Sequence, residues 1–235
     1  SNVATINVRG AVKIPKGVTP SQAAVATNAV TTAYHTIHRR GGIKKSETVF
    51  LFGLGGLGFN ALQIIRAVGA KVLVSDVKQE NLEDAVKIGI PKEDIVPTGK
   101  HIQEWVIEHG WTGKIDIVAD FVVYQSAPLL KQRYKNLRIR KGLFSSHKVR
   151  QAGRMLCVGT LNHETTVYMK VGIRKRLSII FSYGGQTQDL KEALDLIAQR
   201  VLDPIVADGK LADFPRTLKD LEDGKVKRRI ALLHE

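Results

Sequence analysis

An α/β fold, with a doubly wound parallel sheet covered by helices on both faces, is what this sequence predicts, and three observations carry the prediction. From Glu47 onward, short β-rich runs alternate with helical patterns, as in a parallel sheet built from βαβ units. The first run, Thr48–Phe52 (TVFLF), is apolar throughout, as a central strand covered on both faces must be. A glycine-rich turn then joins this strand to an amphipathic segment.

The elements follow in order. Residues 59–68 set Ala61, Ile64, Ile65 and Val68 at helical spacing, with Gly69 as a C-cap. Residues 71–77 (KVLVSDV) read as a second strand, and 81–88 as a helix with Leu82, Ala85, Val86 and Ile88 on one face. A weak strand at Ile95 and Val96 and a helix at 101–109 come next, then strands at 115–122 and 155–158. Residues 177–183 form a sixth strand, 190–201 a strongly amphipathic helix, and 230–233 a last strand. Upstream, 22–38 reads as a helix entered through Pro20 and Ser21, with strand-like stretches at 4–8 and 12–14 before it.

The turn is Gly53-Leu54-Gly55-Gly56-Leu57-Gly58. Its strand-turn-helix context is what a G-x-G-x-x-G pattern needs to bind a dinucleotide. Gly53 permits the tight turn, Gly55 lets backbone approach a pyrophosphate, and Gly58 lets the helix pack closely on the strand. The helix start, with Gly56 and Leu57, offers free N–H groups and a positive dipole end to phosphate. Asp76, at the end of the second strand, lies 18 residues after Gly58. A carboxylate there accepts bonds from ribose hydroxyls and repels a 2′-phosphate, which favours NAD over NADP. Lys78 weakens that preference, because a nearby cation tolerates phosphate. Strand, turn, helix, second strand and acid thus predict a Rossmann domain for NAD.

Composition narrows the rest. The 235 residues suffice for one large domain with small appendages. No apolar run approaches the roughly 20 residues of a membrane-spanning helix, and the first residues lack the apolar core of a secretory signal. Cys157 is the single cysteine, which excludes an internal disulfide and a multi-cysteine zinc site, so a reducing cytoplasmic location is the expectation. The net charge of +14 is concentrated: eight Lys and Arg between Lys131 and Arg150, with no acid among them, account for all but +6 of it.

Several stretches together resemble the medium-chain, zinc-type alcohol dehydrogenases: VKIPKGVTPSQAAVATNAVTTAYHTI, ETVFLFGLGGLGFNALQIIRAVGAKVLVSDV, DIVADFV, AGRMLCVGTL and GKVKRRIALL. The resemblance covers nearly the whole chain except about 123–150. It implies a cofactor domain over 21–210, a remnant of a β-rich catalytic domain over 1–20, and a tail over 211–235 that normally completes that domain. By position it places Thr32, Val158, Gly159, Ser182 and Tyr183 near the nicotinamide end, and Arg229 at the pyrophosphate, with Arg228 where a glycine is usual. The family's zinc ligand in the first helix falls at Asn28, a poor ligand beside thiolate, imidazole or carboxylate. No histidine shows metal-ligand spacing. No metal ligand and no catalytic residue is therefore expected in this chain.

Residues 123–150 depart from the family pattern, being longer by about a dozen residues and basic, with Val123 at a usual glycine position. They read as a surface insertion, as a patch for nucleic acid or an acidic partner, or as sequence without a selected role. The leading expectation for the whole is the NAD(H)-binding domain of an alcohol dehydrogenase-like oxidoreductase, truncated or one part of a split enzyme, and incomplete for hydride transfer alone. The alternative is a non-catalytic NAD(H)-binding or scaffold module, with the basic segment binding nucleic acid. The resemblance implies a homodimer through 177–183, and the lost catalytic half leaves room for a second chain. Exposure of Val12, Ile14, Val25 and Ile230 is expected with it.

Overall fold

The structure is a computed structural model that describes residues 5, 7–122, 149–158 and 169–234. Its centre is a five-stranded, wholly parallel sheet in the order β2-β1-β3-β4-β5, formed by β1 (Thr48–Phe52), β2 (Lys71–Ser75), β3 (Ile115–Asp120), β4 (Val149–Cys157) and β5 (Ser178–Phe181). Ile95 makes one parallel bridge to Val74 of β2, which is the weak strand of the sequence reduced to a single pair. With it the order becomes that of a doubly wound Rossmann sheet, whose two halves meet between β1 and β3.

Alternation along β1 explains why both faces carry helices. Val49 and Leu51 face one core with Val72, Val74, Ile117 and Leu156, under the long N-terminal helical run and α3 (Gly58–Val68). Phe50 and Phe52 face the other core with Leu73, Val118 and Trp105 of α5 (Ile102–Glu108). The two phenylalanine rings stack at 4.7 Å, and Trp105 meets Phe50 edge-on at 6.3 Å. β1 is thus sealed on both sides, the condition under which an uninterrupted apolar run is stable. Gly69 ends α3 with φ of 82°, the left-handed C-cap that glycine adopts without penalty. The remaining crossover helix of the first half is α4 (Gln79–Lys87).

The N-terminal helical run covers 20–40 and is not uniform. It consists of α1 (Pro20–Val25), a π segment (Ala26–Val30), α2 (Thr31–Tyr34) and a second π segment (His35–Arg40). Thr19 opens it with a capping box shared with Gln22. A polar cluster holds it to α7 (Thr187–Ala198). His35 Nδ1 lies 2.8 Å from Asp189, Arg39 Nε donates to Asp189 at 2.9 Å, and Tyr34 Oη donates to Glu192 at 2.6 Å.

Several elements differ from the sequence expectation. The described residues ahead of Pro20 contain a 3₁₀ turn at Val8–Gly10 and no strand, and residues 4 and 6 of the expected first strand lie outside the described residues. β4 begins at Val149, six residues earlier than expected, and passes through Ala152 at φ of 61° and a register shift against β3. Three elements went unread in the sequence: α6 (Met169–Lys175), β6 (Val206–Lys210) and α8 (Phe214–Glu222). β6 pairs in parallel with β7 (Arg229–Leu233) as a separate two-stranded sheet against α1. That contact buries Val25, which the sequence reading left exposed, whereas Ile14 is exposed and Val12 and Ile230 are half-buried. Among the described residues no helix is long and apolar enough to cross a membrane.

Candidate functional site

The site is built at the carboxyl ends of β1 and β2. Gly53 leaves β1 at φ of 82°, its N–H bonded to Ser75 O at 2.9 Å. A Cβ there would stand 2.7 Å from a methyl of Val122. Gly58 is more constrained, because a Cβ would fall 1.7 Å from Gly53 O, so the first turn of α3 lies directly on the strand exit. At Gly55 the space is open, with nothing within 4 Å of where a Cβ would be. The loop therefore packs tightly where glycine serves the fold and presents bare backbone where a ligand would lie. No side chain caps the start of α3, whose N-cap is Leu57. Asn60 steadies the loop from within the helix, its Nδ2 donating to Gly56 O at 2.8 Å.

Asp76 closes the other side. Its Oδ2 accepts the Leu54 N–H at 2.6 Å and its Oδ1 the Lys78 N–H at 2.7 Å. The carboxylate is thus fixed by both loops, is only half-buried, and keeps further acceptor capacity on each oxygen. The Lys78 ammonium is turned to the C-terminal tail, donating to Gly224 O at 3.3 Å and lying 3.9 Å from Glu80.

The tail brings two arginines to this loop. Arg229 lies against Gly56: its Nε is 2.7 Å from where a Gly56 Cβ would be, so a side chain at 56 would push the guanidinium aside. Its half-buried guanidinium makes no hydrogen bond or ion pair among the described residues, and burial holds its pKa below the usual arginine value. Arg228 is buried outright. Its NH1 donates to Leu54 O at 2.8 Å and to Asn81 Oδ1 at 3.2 Å, and its NH2 to Asp84 Oδ2 at 2.7 Å. The guanidinium also sits 3.9 Å above the Phe59 ring. Burial would raise the Asp84 pKa, but hydrogen bonds from Lys227 and Lys87 and the charge of Arg228 hold it below the usual carboxylate range.

The residues assigned to the nicotinamide end divide. Val158 N–H bonds Asp120 O at 3.1 Å and Ser182 N–H bonds Cys157 O at 2.9 Å, so both sit at the carboxyl edge of the sheet and are buried. Thr32 joins them through Thr36, whose Oγ1 donates to Thr32 O at 2.8 Å and lies 2.8 Å from Ser182 Oγ. Tyr183 instead projects into solvent, 85% exposed. Gly159 and the basic stretch 131–148 lie outside the described residues. Asn28 is exposed on the first π segment, and among the described residues no three His, Cys, Asp or Glu side chains converge as a metal would require. Burial raises the Cys157 thiol to about 11, which leaves it protonated and inert at neutral pH.

Thr36, Asn60 and Arg228 were not assigned roles from the sequence. Asn60 lies two residues past the last glycine of the turn, a local signal. Nothing local marks Thr36 or Arg228. A cavity of about 610 Å³ is lined by Ile205, Arg216 and Lys225 together with residues of β6 and β7. It touches the glycine loop only through the Arg228–Arg229 segment that lines it.

Comparison with known proteins agrees with this geometry. The chain is 27% identical to an alcohol dehydrogenase of Geobacillus stearothermophilus over 220 residues, 94% of this chain and 60% of the relative. It is 30% identical to an acryloyl-coenzyme A reductase of Sulfurisphaera tokodaii over 208 residues, 87% of this chain and 55% of the relative. Among solved structures, the acetophenone reductase of Geotrichum candidum in complex with NAD superimposes with a TM-score of 0.76 at 29% identity, covering 94% of this chain and 58% of that one. The chain thus spans about 60% of the length of the relatives it matches. The family model for zinc-binding dehydrogenases matches residues 56–199, and with the glycine loop, its acid and the strand order in place, this chain belongs to the zinc-type, medium-chain alcohol dehydrogenase family.

Proposed function

We propose that this chain is the NAD(H)-binding portion of an alcohol dehydrogenase-like oxidoreductase and that it does not transfer hydride alone. The observation that carries this is the open backbone at Gly55, flanked by the Arg229 guanidinium at Gly56, which makes no hydrogen bond or ion pair among the described residues, and by the Asp76 carboxylate. A pyrophosphate there would receive N–H groups from the start of α3 and charge from Arg229, while Asp76 would accept the adenosine ribose hydroxyls. Thr32, Val158, Gly159, Ser182 and Tyr183 are assigned to the nicotinamide end, with Tyr183 having to turn inward to reach it. Bound NAD supplies a hydride acceptor; this chain's residues bind and orient it.

The described residues do not assemble a zinc site, so no step through zinc is assigned to them. Catalytic groups would come from a β-rich part outside this sequence or from a second chain. The tail supplies a seat for such a part: Phe214, Leu218 and Leu221 of α8 are exposed at helical spacing. Pairing of two copies along β5, the last strand of the sheet order, fits the exposure of Phe181 at 66% beside it.

Titration calorimetry with NADH and NADPH tests the reading. Saturable NADH binding, tighter than NADPH and weakened in Asp76→Ala, is expected. Absence of binding by either nucleotide overturns it, and equal affinity overturns the preference for NAD. Steady NAD reduction by the purified chain with a simple alcohol would overturn the claim of incompleteness.

A further inference from the structure

The geometry points to Arg228 as a positioning residue for the dinucleotide, acting through Leu54 and Arg229 without touching the ligand. This rests on the dinucleotide reading above. A guanidinium is a rigid planar fork, and this one uses it to tie three separate pieces of chain. One nitrogen holds the carbonyl of Leu54 in the glycine loop at 2.8 Å, and the other holds Asp84 of α4 at 2.7 Å. Its flat face covers Phe59 in the first turn of α3. Leu54 is the same residue whose N–H is held by Asp76, so both backbone polar groups of this peptide segment are committed before any ligand arrives.

The consequence reaches Arg229 directly. A half-buried side chain beside Gly56, with no hydrogen bond or ion pair among the described residues, depends on its backbone for its position. The Arg229 backbone opens β7 and pairs with Val206 of β6, and the side chain of the neighbouring Arg228 adds a tie from that strand start to Leu54 of the loop and Asp84 of α4. Arg228 Nε is buried without a hydrogen-bond partner among the described residues, so the arginine is kept in place by its two terminal nitrogens and the ring contact. Burying a cation is costly without good partners, and here Asp84 supplies the charge while Leu54 O and Asn81 complete the donors. Such a buried pair loses far more when one side is removed than it contributes, which couples loop, helix and tail into one unit. Where the family carries glycine, this chain holds its phosphate-binding arginine with a second arginine.

A double-mutant cycle on NADH affinity tests this, with Arg228→Gln, Arg229→Gln and the double variant, each checked for a cooperative thermal transition. Each single change is expected to weaken NADH roughly tenfold, and the double variant to lose less than the product of the two single losses, because part of the Arg228 effect passes through Arg229. Arg228→Lys, which keeps the charge but not the fork, should recover stability while recovering only part of the affinity. Losses that multiply in the double variant would overturn the coupling, as would an Arg228→Gln chain that binds like the parent. Should Arg228→Gln fail to fold, Arg228→Lys carries the cycle in its place. Failure of the parent chain itself to bind NADH would instead overturn the dinucleotide reading, a different outcome from either.

Discussion

Asp76 Oδ2 accepts the Leu54 N–H at 2.6 Å, so the acid that follows β2 is held by the loop that follows β1. One carboxylate therefore shapes the loop and, on the proposed reading, also meets the ribose. Asp76→Asn keeps the size and an acceptor but removes the charge, whereas Asp76→Ala removes both. We expect NADH affinity to fall about tenfold or more in each, consistent with about 1.5–3 kcal/mol for a hydrogen bond to a charged group. Both should lower the melting temperature, Asp76→Asn by losing one of the two backbone N–H bonds and Asp76→Ala by losing both, and calorimetry beside a thermal melt separates stability from binding.

Gly55 and Gly58 should respond oppositely to alanine. At Gly58 the new Cβ would stand 1.7 Å from Gly53 O, so α3 has to move off the strand, with loss of stability and binding together. At Gly55 nothing lies within 4 Å, so Gly55→Ala should melt like the parent yet bind NADH poorly. Equal binding by Gly55→Ala and the parent would show that no ligand backbone contact is made there.

Asp189 ties α7 to the helical run that carries Thr32 and Thr36. Its burial would raise its pKa, but the Gln186 N–H, Arg39 and His35 together hold it below the usual value. A carboxylate depressed in the folded state adds stability above its unfolded pKa of about 4, and that stability is lost as pH falls through the lower folded value. The gap in melting temperature between the parent and Asp189→Asn should therefore be widest near neutrality and shrink below about pH 4. A gap that stays constant through that range would show that the ionised pair contributes nothing.

Phe50 is fully buried between Phe52, Leu73 and Trp105. Truncation to alanine opens a cavity on the face of the sheet away from α3, and should cost about 3–5 kcal/mol in chemical denaturation. NADH affinity of the folded fraction should stay near that of the parent, because the glycine loop leaves β1 three residues later, at Gly53.

Elements whose cause is local were legible. The apolar run of β1, the spacing of Ile64 and Ile65 on α3, the Gly69 cap and the turn from Gly53 to Gly58 each depend on neighbours within a few residues. Local pattern was silent about π segments inside 20–40, where the apolar spacing looks the same whether the turn holds 3.6 residues or slightly more. It also missed β6, whose Val206-Ala207-Asp208-Gly209-Lys210 is poor in strand formers and is ordered by its pairing to β7.

The sequence by itself determined the chemistry on offer: a glycine turn after a buried strand, an acid at the next strand end, and two arginines near the C-terminus. Tertiary structure alone decided what those arginines do. Arg228 bonds a carbonyl 174 residues away in the chain, and Arg229 comes to rest on a glycine of the same loop. No propensity or spacing encodes such a contact, because its energy arises only once sheet, helix and tail have excluded water from the space between them.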